Sequence, residues 1–413
     1  MSVGTLAISI SLSPFWKIGA FVPPFVKGGG FEKELILNAY IKARCLYGKE
    51  KPFILTNLEC SMARYVLWNN KGGVGKSYLS FQIASEYARV NPDQKVLALD
   101  LCPQANLSQM LLGGAVDGEL HLAKLLSTLP RKTIAGYIED RLRSPYIVTG
   151  NGSAYLIQPL QYNPYIPSNL YLVAGDDELE VKASRVVVST TTGPSDAWRL
   201  VHGWISDLIE EVRQSWNQEQ VTVFLDCNPG FGIYTEMALS ASDRLIIPFS
   251  ADGSSKRAVR SLLSLVYGIS RAPGAQRSEF NTKTEQYRMA LPRIYGYVGN
   301  RLTQMNKTSA QAFKSVVQDI GDEIWTVWQN RNQYLCAHPT GAPFPRNKTE
   351  FKKMFQYEIP DANTASVVSS TIGVPITILP SGSRLVLGKT VMVNQSQLDK
   401  QQPAVRSLVA EIE

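Results

Sequence analysis

Short apolar runs recur along the chain, each closed off by glycine, proline or asparagine and followed by an amphipathic stretch. Residues 64–68, Arg-Tyr-Val-Leu-Trp, are β-prone and run straight into Asn69-Asn70-Lys71-Gly72-Gly73. A run of that length and composition predicts a buried parallel strand. From 77 to 90, Leu79, Ile83, Ala84, Tyr87 and Ala88 recur at helical spacing, with no glycine or proline before Pro92, which predicts a helix. The next run, 95–100, is again apolar and ends in Asp100, with Pro103 and a short helix at 107–112 behind it.

The alternation continues. Strands are predicted at 171–173, 221–225, 244–248, 293–298 and 375–379, and helices at 197–216, 256–267 and 308–320. Alternating strands and helices of these lengths predict an α/β fold, a mostly parallel twisted sheet with helices on both faces. Two stretches interrupt it: 145–167, rich in Tyr, Pro, Gly and Asn, and 331–349, with Pro339, Pro343 and Pro345, both read as loops.

Composition changes the picture little. The 413 residues are 44% hydrophobic, enough for a large core and against disorder. Five scattered cysteines, Cys45, Cys60, Cys102, Cys227 and Cys336, have no CxxC pair or metal-ligand spacing, which fits a reducing cytoplasm. The net charge of +7 is diluted: residues 1–61 hold seven Lys/Arg against four Asp/Glu, leaving 35 against 31 for the rest. The first thirty residues are apolar, but Pro14, Lys17, Pro23 and Pro24 break any span and no basic residue precedes them; this argues against a signal or transmembrane segment. Met62-Ala63-Arg64 stands directly before the first strand of the alternation. Residues 1–61 therefore read as an extension upstream of a possible start at Met62, 62–395 as one domain, and 396–413 as a C-terminal tail.

The chemistry concentrates where the first strand meets the first helix. Glycines there let backbone N–H groups converge on phosphate oxygens beside the positive end of a helix. Lys76 would neutralise the β and γ phosphates and Ser77 would offer its hydroxyl to Mg²⁺. Asp226 closes an apolar strand and is placed to hold the magnesium water shell from the other side. The nucleotide-binding set is Asn70, Lys71, Gly72, Gly73, Val74, Gly75, Lys76, Ser77 and the adjoining Tyr78; the metal set is Ser77 and Asp226; the ligands are ATP and Mg²⁺.

The loop departs from G-x-x-x-x-G-K-[ST], because Asn70 occupies the first glycine position and a second lysine, Lys71, follows it. Lys71-Gly72-Gly73-Val74-Gly75-Lys76-Ser77 resembles the deviant Walker A loop of the ParA/MinD family of P-loop NTPases. The resemblance extends over most of 62–385: Asp100–Ser108 looks like the family's D-x-D-P-Q-x-N segment, Asp226-Cys227-Asn228-Pro229 its D-x-P-P, Asn300-Arg301 its adenine-contacting segment, and Gly373-Val374-Pro375 its late G-x-P. It implies that Lys71 reaches the partner's nucleotide in an ATP-sandwiched homodimer, that Asn300 and Arg301 bind the base, that the ATP form holds DNA without sequence preference, and that a ParB-like protein is the partner in plasmid or chromosome partition.

One departure bears on catalysis. Cys102 stands where the family has the aspartate that positions the attacking water, and a thiol does this poorly. Asp100, two residues earlier on the same strand face, is a poorly placed substitute. The catalytic candidates are thus Lys71, Asp100 and Cys102, with binding expected intact and hydrolysis slow. The alternative is an ATP-dependent switch with little catalysis, serving as a regulator or scaffold. Basic candidates for DNA are Lys256, Arg257 and Arg260, then Arg346, Lys348, Lys352 and Lys353. The last nine residues hold one arginine and two glutamates, unlike a basic amphipathic membrane helix, so no membrane is expected.

Overall fold

The computed structural model describes residues 9–12, 16–19, 62–217, 219–270, 274–302 and 307–413, with the side chains of 9–19 and 301–313 outside the description. Two compact units divide the chain, 1–59 and 60–413. In the first, β1 (Ser9–Leu12) pairs antiparallel with β2 (Trp16–Gly19). The rest of the 1–61 extension, and with it the question of a start at Met62, lies outside the described residues.

The second unit is built on seven strands: β3 (Ala63–Leu67), β4 (Lys95–Leu101), β5 (Leu170–Val173), β6 (Val221–Cys227), β7 (Arg244–Phe249), β8 (Arg293–Leu302) and β9 (Gln356–Pro360). Their order is β5-β4-β6-β3-β7-β8-β9, and every pairing is parallel. The apolar runs are continuous because both faces of the sheet are covered. Along β3, Tyr65 and Leu67 enter one core while Val66, with Trp68 just beyond the strand, enters the other. The Lys76–Val90 helix covers the first face; the Trp204–Ser215 and Ser255–Tyr267 helices cover the second. The chain is the α/β fold expected of a P-loop NTPase.

Several local expectations need correction. The expected strand at 375–379 is a single 3₁₀ turn, Ile376–Ile378, because Pro375 and Pro380 bracket it and proline cannot supply ladder donors. The seventh strand is instead β9, whose burial is mixed because it lies at the sheet edge; it carries no period-2 signal. The predicted helix 197–216 is broken at Gly203 into Ala197–His202 and Trp204–Ser215, and the helix expected at 308–320 runs over Lys307–Arg331. Residues 396–413, set apart from the sequence as a tail, belong to the same compact unit. The Gln395–Ala410 helix packs on the Lys76–Val90 helix and buries Leu398, Val405 and Leu408. Beyond β9, β10 (Gly382–Val386) and β11 (Lys389–Val393) form an antiparallel hairpin that the periodicity did not reveal. Among the described residues no helix is long and apolar enough to cross a membrane.

Candidate functional site

β3 lies between β6 and β7, so the loop leaving its C-terminal end opens over the middle of the sheet, where open α/β sheets bind ligands. Gly73 (φ +74°) and Gly75 (φ +77°) take left-handed conformations, and that is what turns the strand into the Lys76–Val90 helix within so few residues. Asn300, fully buried on β8, donates its amide to the carbonyls of Val74 (3.1 Å) and Gly75 (3.3 Å) and so holds the loop from beneath. Asn69 donates to the Pro248 carbonyl at 2.7 Å, and Asn70 to the Ser261 hydroxyl at 2.9 Å.

A cleft of about 460 Å³ opens in front of the loop, lined by Gly73, Gly75, Lys76, Ser77, Tyr78 and Cys102 on the loop side. Ser370 and Thr371, from the Thr364–Ile372 helix, line it as well. Lys76 is only 6% exposed and donates to the Lys71 carbonyl at 3.1 Å. Burial lowers its pKa, while Asp226, Cys227 and Cys102 push the other way. This is a cation held in place with little solvent of its own.

The register of β4 against β6 sets Asp100 directly beside Asp226, and both are fully buried. Burial raises the pKa of each, and the charge of Asp100 raises that of Asp226 further. They are used differently. Asp100 spends both oxygens on its own turn: Oδ1 accepts from the Cys102 amide (3.1 Å), and Oδ2 from the Ser108 amide (2.9 Å) and hydroxyl (2.8 Å). Gly175 closes this turn by donating to the Ser108 hydroxyl at 2.8 Å. A fully buried carboxylate so committed holds the turn, and it is not among the residues lining the cleft. Asp226 accepts from Ser80 through Oδ1 at 3.0 Å, but its Oδ2 is buried without a hydrogen-bond partner. The Ser77 hydroxyl favours the charged form of Asp226 without completing a hydrogen bond of ordinary geometry.

An orphaned carboxylate oxygen is costly to leave in a folded protein. Beside Ser77 and Lys76 it fits a hydrated divalent cation that arrives with phosphate, since magnesium is held by one or two protein oxygens rather than a full cage. Among the described residues no cluster of three or more His, Cys, Asp or Glu could form such a cage. Ser77 and Asp226 would hold the ion, and when bound it would neutralise phosphate charge.

Cys102 lines the cleft, 6% exposed. Burial, reinforced by the Asp100 charge, pushes its thiol up to about 12, and burial also raises Cys227 well above its ordinary value. Both are neutral thiols at physiological pH and offer no general base. Lys71 turns away from the cleft: it pairs with Asp252 and donates to the hydroxyls of Ser250 (3.0 Å) and Ser255 (3.3 Å). The side chain of Arg301 lies outside the described residues.

The structure thus brings Lys76, Ser77, Cys102 and Asp226 together, sets Asn300 against the loop carbonyls of Val74 and Gly75, and pairs Asn70 with Ser261 and Lys71 with Ser250, Asp252 and Ser255. Sequence reasoning missed Ser80, although it falls on the same helix face as Ser77 at i+3. It also missed Ser108 and Gly175, which hold Asp100, and Ser250, Asp252 and Ser255, which hold Lys71. Gly175 lies 67 residues from Ser108 and Ser250 lies 179 from Lys71, so no local pattern marks these, whereas Ser108 stands only eight residues from Asp100.

Of the basic residues considered for DNA, three are already paired. Lys256 binds Asp319 (2.8 Å), Arg260 binds Glu323 (2.6 Å) and Lys348 binds Asp322 (2.5 Å). Arg257, Arg346 and Lys353 are exposed.

A strand, a left-handed glycine loop and a helix, with Lys76 lining the cleft and the Asp226 carboxylate buried behind it, define the class: a P-loop nucleotide-binding fold. Comparison with known proteins narrows this. Residues 63–278, just over half the chain, match the family model described as an AAA domain, and the chain belongs to that family, the ParA/MinD-like P-loop ATPases. A Pseudomonas putida protein described only as an uncharacterized protein in the gidB 3′ region is 24% identical over 284 residues, covering 67% of this chain and 84% of the relative. Apo McdA from Cyanothece has the same fold at 14% identity and a TM-score of 0.50, over 84% of this chain and 99% of that one. A putative plasmid partition protein from Borrelia burgdorferi B31, solved with AMPPNP, aligns at 13% identity over 85% of this chain and 99% of that one, with a TM-score of 0.44.

Proposed function

We propose that the protein is a nucleotide-gated switch of the ParA-like kind: it binds ATP with Mg²⁺ in the cleft, self-associates in that state through Lys71, and turns ATP over slowly. The observation that carries this is Asp226 Oδ2, buried and unpartnered behind a glycine loop that presents Lys76 and Ser77 to the same cleft. Slow turnover follows from chemistry at the hydrolytic position. Cys102 is a neutral thiol, and Asp100 is occupied by its turn. Phosphoryl transfer here would rest on positioning and electrostatics from the loop amides and Lys76. Three free buried thiols, Cys102, Cys227 and Cys336, suit a reducing cytoplasm.

Partition of DNA, with a ParB-like partner, is the more specific reading that family membership suggests. Among the described residues considered for it, its support is the exposed Arg257, Arg346 and Lys353, and it predicts weak, strongly salt-dependent binding. The switch reading has the broader support.

Titrating a fluorescent ATP analogue with Mg²⁺ and with EDTA, against wild type and Lys76→Ala, tests the site; binding should need Mg²⁺ and fail in the variant. Sedimentation with a nonhydrolysable analogue and with ADP, on wild type and Lys71→Ala, tests the switch. Self-association in the analogue alone, lost in Lys71→Ala with nucleotide affinity kept, is expected. An unchanged sedimentation profile in every nucleotide would refute the switch. Salt titration of DNA binding with each nucleotide tests the partition reading; no nucleotide dependence would remove it.

A further inference from the structure

The Ser255–Tyr267 and Lys307–Arg331 helices bury Leu262 and Ile320 in the same core and are pinned together by two ion pairs one turn apart. Lys256 meets Asp319 at 2.8 Å and Arg260 meets Glu323 at 2.6 Å, each across 63 residues. At the next turn the same offset sets Ser264 opposite Val327, and a hydroxymethyl facing an isopropyl group neither bridges the helices nor fills the space. A cavity of about 490 Å³ opens there, within the size range of small-molecule sites.

Its lining is apolar in the middle and charged at both ends. Leu263 and Val327 are buried and Ile269 is half-buried, and together they make the floor. At one end Arg260 gives a terminal nitrogen to Glu323 while its Nε stays buried without a hydrogen-bond partner. At the other end, eight residues or about 12 Å further along the second helix, Arg331 is exposed and among the described residues pairs with no carboxylate. Two guanidinium groups thus line the cavity against the single carboxylate of Glu323, and the charge left over is that of Arg331.

We propose that this cavity binds a small organic acid with an apolar chain, whose carboxylate pairs with Arg331 and whose chain lies along Leu263, Ile269 and Val327 toward Arg260. A guanidinium takes a carboxylate through two parallel hydrogen bonds, and the floor gains from covering by an apolar chain. A bare phosphate would find Arg331 and leave the floor uncovered. An extended peptide of ten residues, at about 3.3 Å each, would overrun a site of this length.

The test uses the full chain and isothermal titration calorimetry at low salt with four probes: octanoate below its micelle-forming concentration, octylamine, inorganic phosphate, and a ten-residue peptide of alternating valine and glutamate. Octanoate should bind saturably, one per chain, and the other three should not. Arg331→Glu should weaken octanoate about tenfold or more and admit octylamine, a reversal that misfolding cannot produce. Ser264→Phe places a ring in the cavity from a half-buried wall position and should abolish octanoate binding while the affinity for an ATP analogue is kept. Octanoate that binds no better than octylamine, or that binds Ser264→Phe with full affinity, overturns the proposal. So does tighter binding of phosphate or of the peptide than of octanoate.

Discussion

Replacing Asp226 with Asn removes one of two carboxylates buried side by side on β4 and β6, and should stabilise the ligand-free protein. Burial holds Asp226 above its unfolded value, with Asp100 adding to the effect. The folded state therefore binds more protons than the unfolded one, and stability falls as pH rises. The contribution is complete below the unfolded carboxylate value near 4 and is lost as pH climbs through the raised folded value. Each unit of elevation takes about 1.4 kcal/mol from stability at higher pH, and fully buried carboxyls shift by a few units. Removing the charge should thus return on the order of 2–4 kcal/mol at pH 8. The carboxamide keeps an oxygen for the Ser80 hydroxyl, so the hydrogen bond at 3.0 Å need not be lost. Urea denaturation of wild type and Asp226→Asn between pH 4 and 8.5, without nucleotide, reads this directly. The two curves should converge at the acid end and separate toward pH 8 with the variant more stable, and the variant should lose Mg²⁺-dependent nucleotide binding. A wild-type stability that is flat or rising over this range, or a variant weaker at pH 8, would refute the reasoning.

Cys102→Asp should raise ATP turnover about a hundredfold by supplying a group able to position water, measured as phosphate release; equal rates in the two proteins would overturn the proposal that Cys102 slows hydrolysis. Gly175→Ala would press a Cβ to 2.8 Å from the Cys102 carbonyl and 2.9 Å from Asp100 Cγ, so a loss of about 1–3 kcal/mol and weaker nucleotide binding are expected from denaturation and titration. Leu387, in the turn of the β10–β11 hairpin, has φ +49°; Leu387→Asn should raise stability by roughly 1 kcal/mol by relieving the left-handed backbone, read as a higher urea midpoint at unchanged slope.

The centre of the sheet was legible because β3, β4, β6, β7 and β8 are buried on both faces and read as unbroken apolar runs. The glycine loop was legible because its chemistry is contiguous. β9 and the β10–β11 hairpin were not, since a strand with mixed burial at an edge and a hairpin with apolar residues on both faces lose the alternation on which such a reading depends. Within the site, the roles of Asp100 and Asn300 could not be read from position. Asp100 stands two residues from Cys102, yet its carboxylate is bonded by Ser108. Asn300 resembles a base contact, yet its amide is drawn to the carbonyls of Val74 and Gly75. The Val74 and Gly75 carbonyls lie 226 and 225 residues from Asn300, beyond any local window; Ser108 is only eight residues from Asp100, but nothing in that segment's pattern shows that its amide and hydroxyl turn back onto the carboxylate.

The central placement of β3 has a bearing on how the protein is made. Both strands that flank it come much later in the chain: Trp68 meets the Asn228 carbonyl across 160 residues, and Lys71 meets Asp252 across 181. At ribosomal rates of about 5–20 residues per second, the first strand and its glycine loop would wait roughly ten to thirty seconds for their neighbours to emerge. During that interval an apolar strand has both edges bare, and the nascent chain is at its most vulnerable to chaperone capture or misassembly.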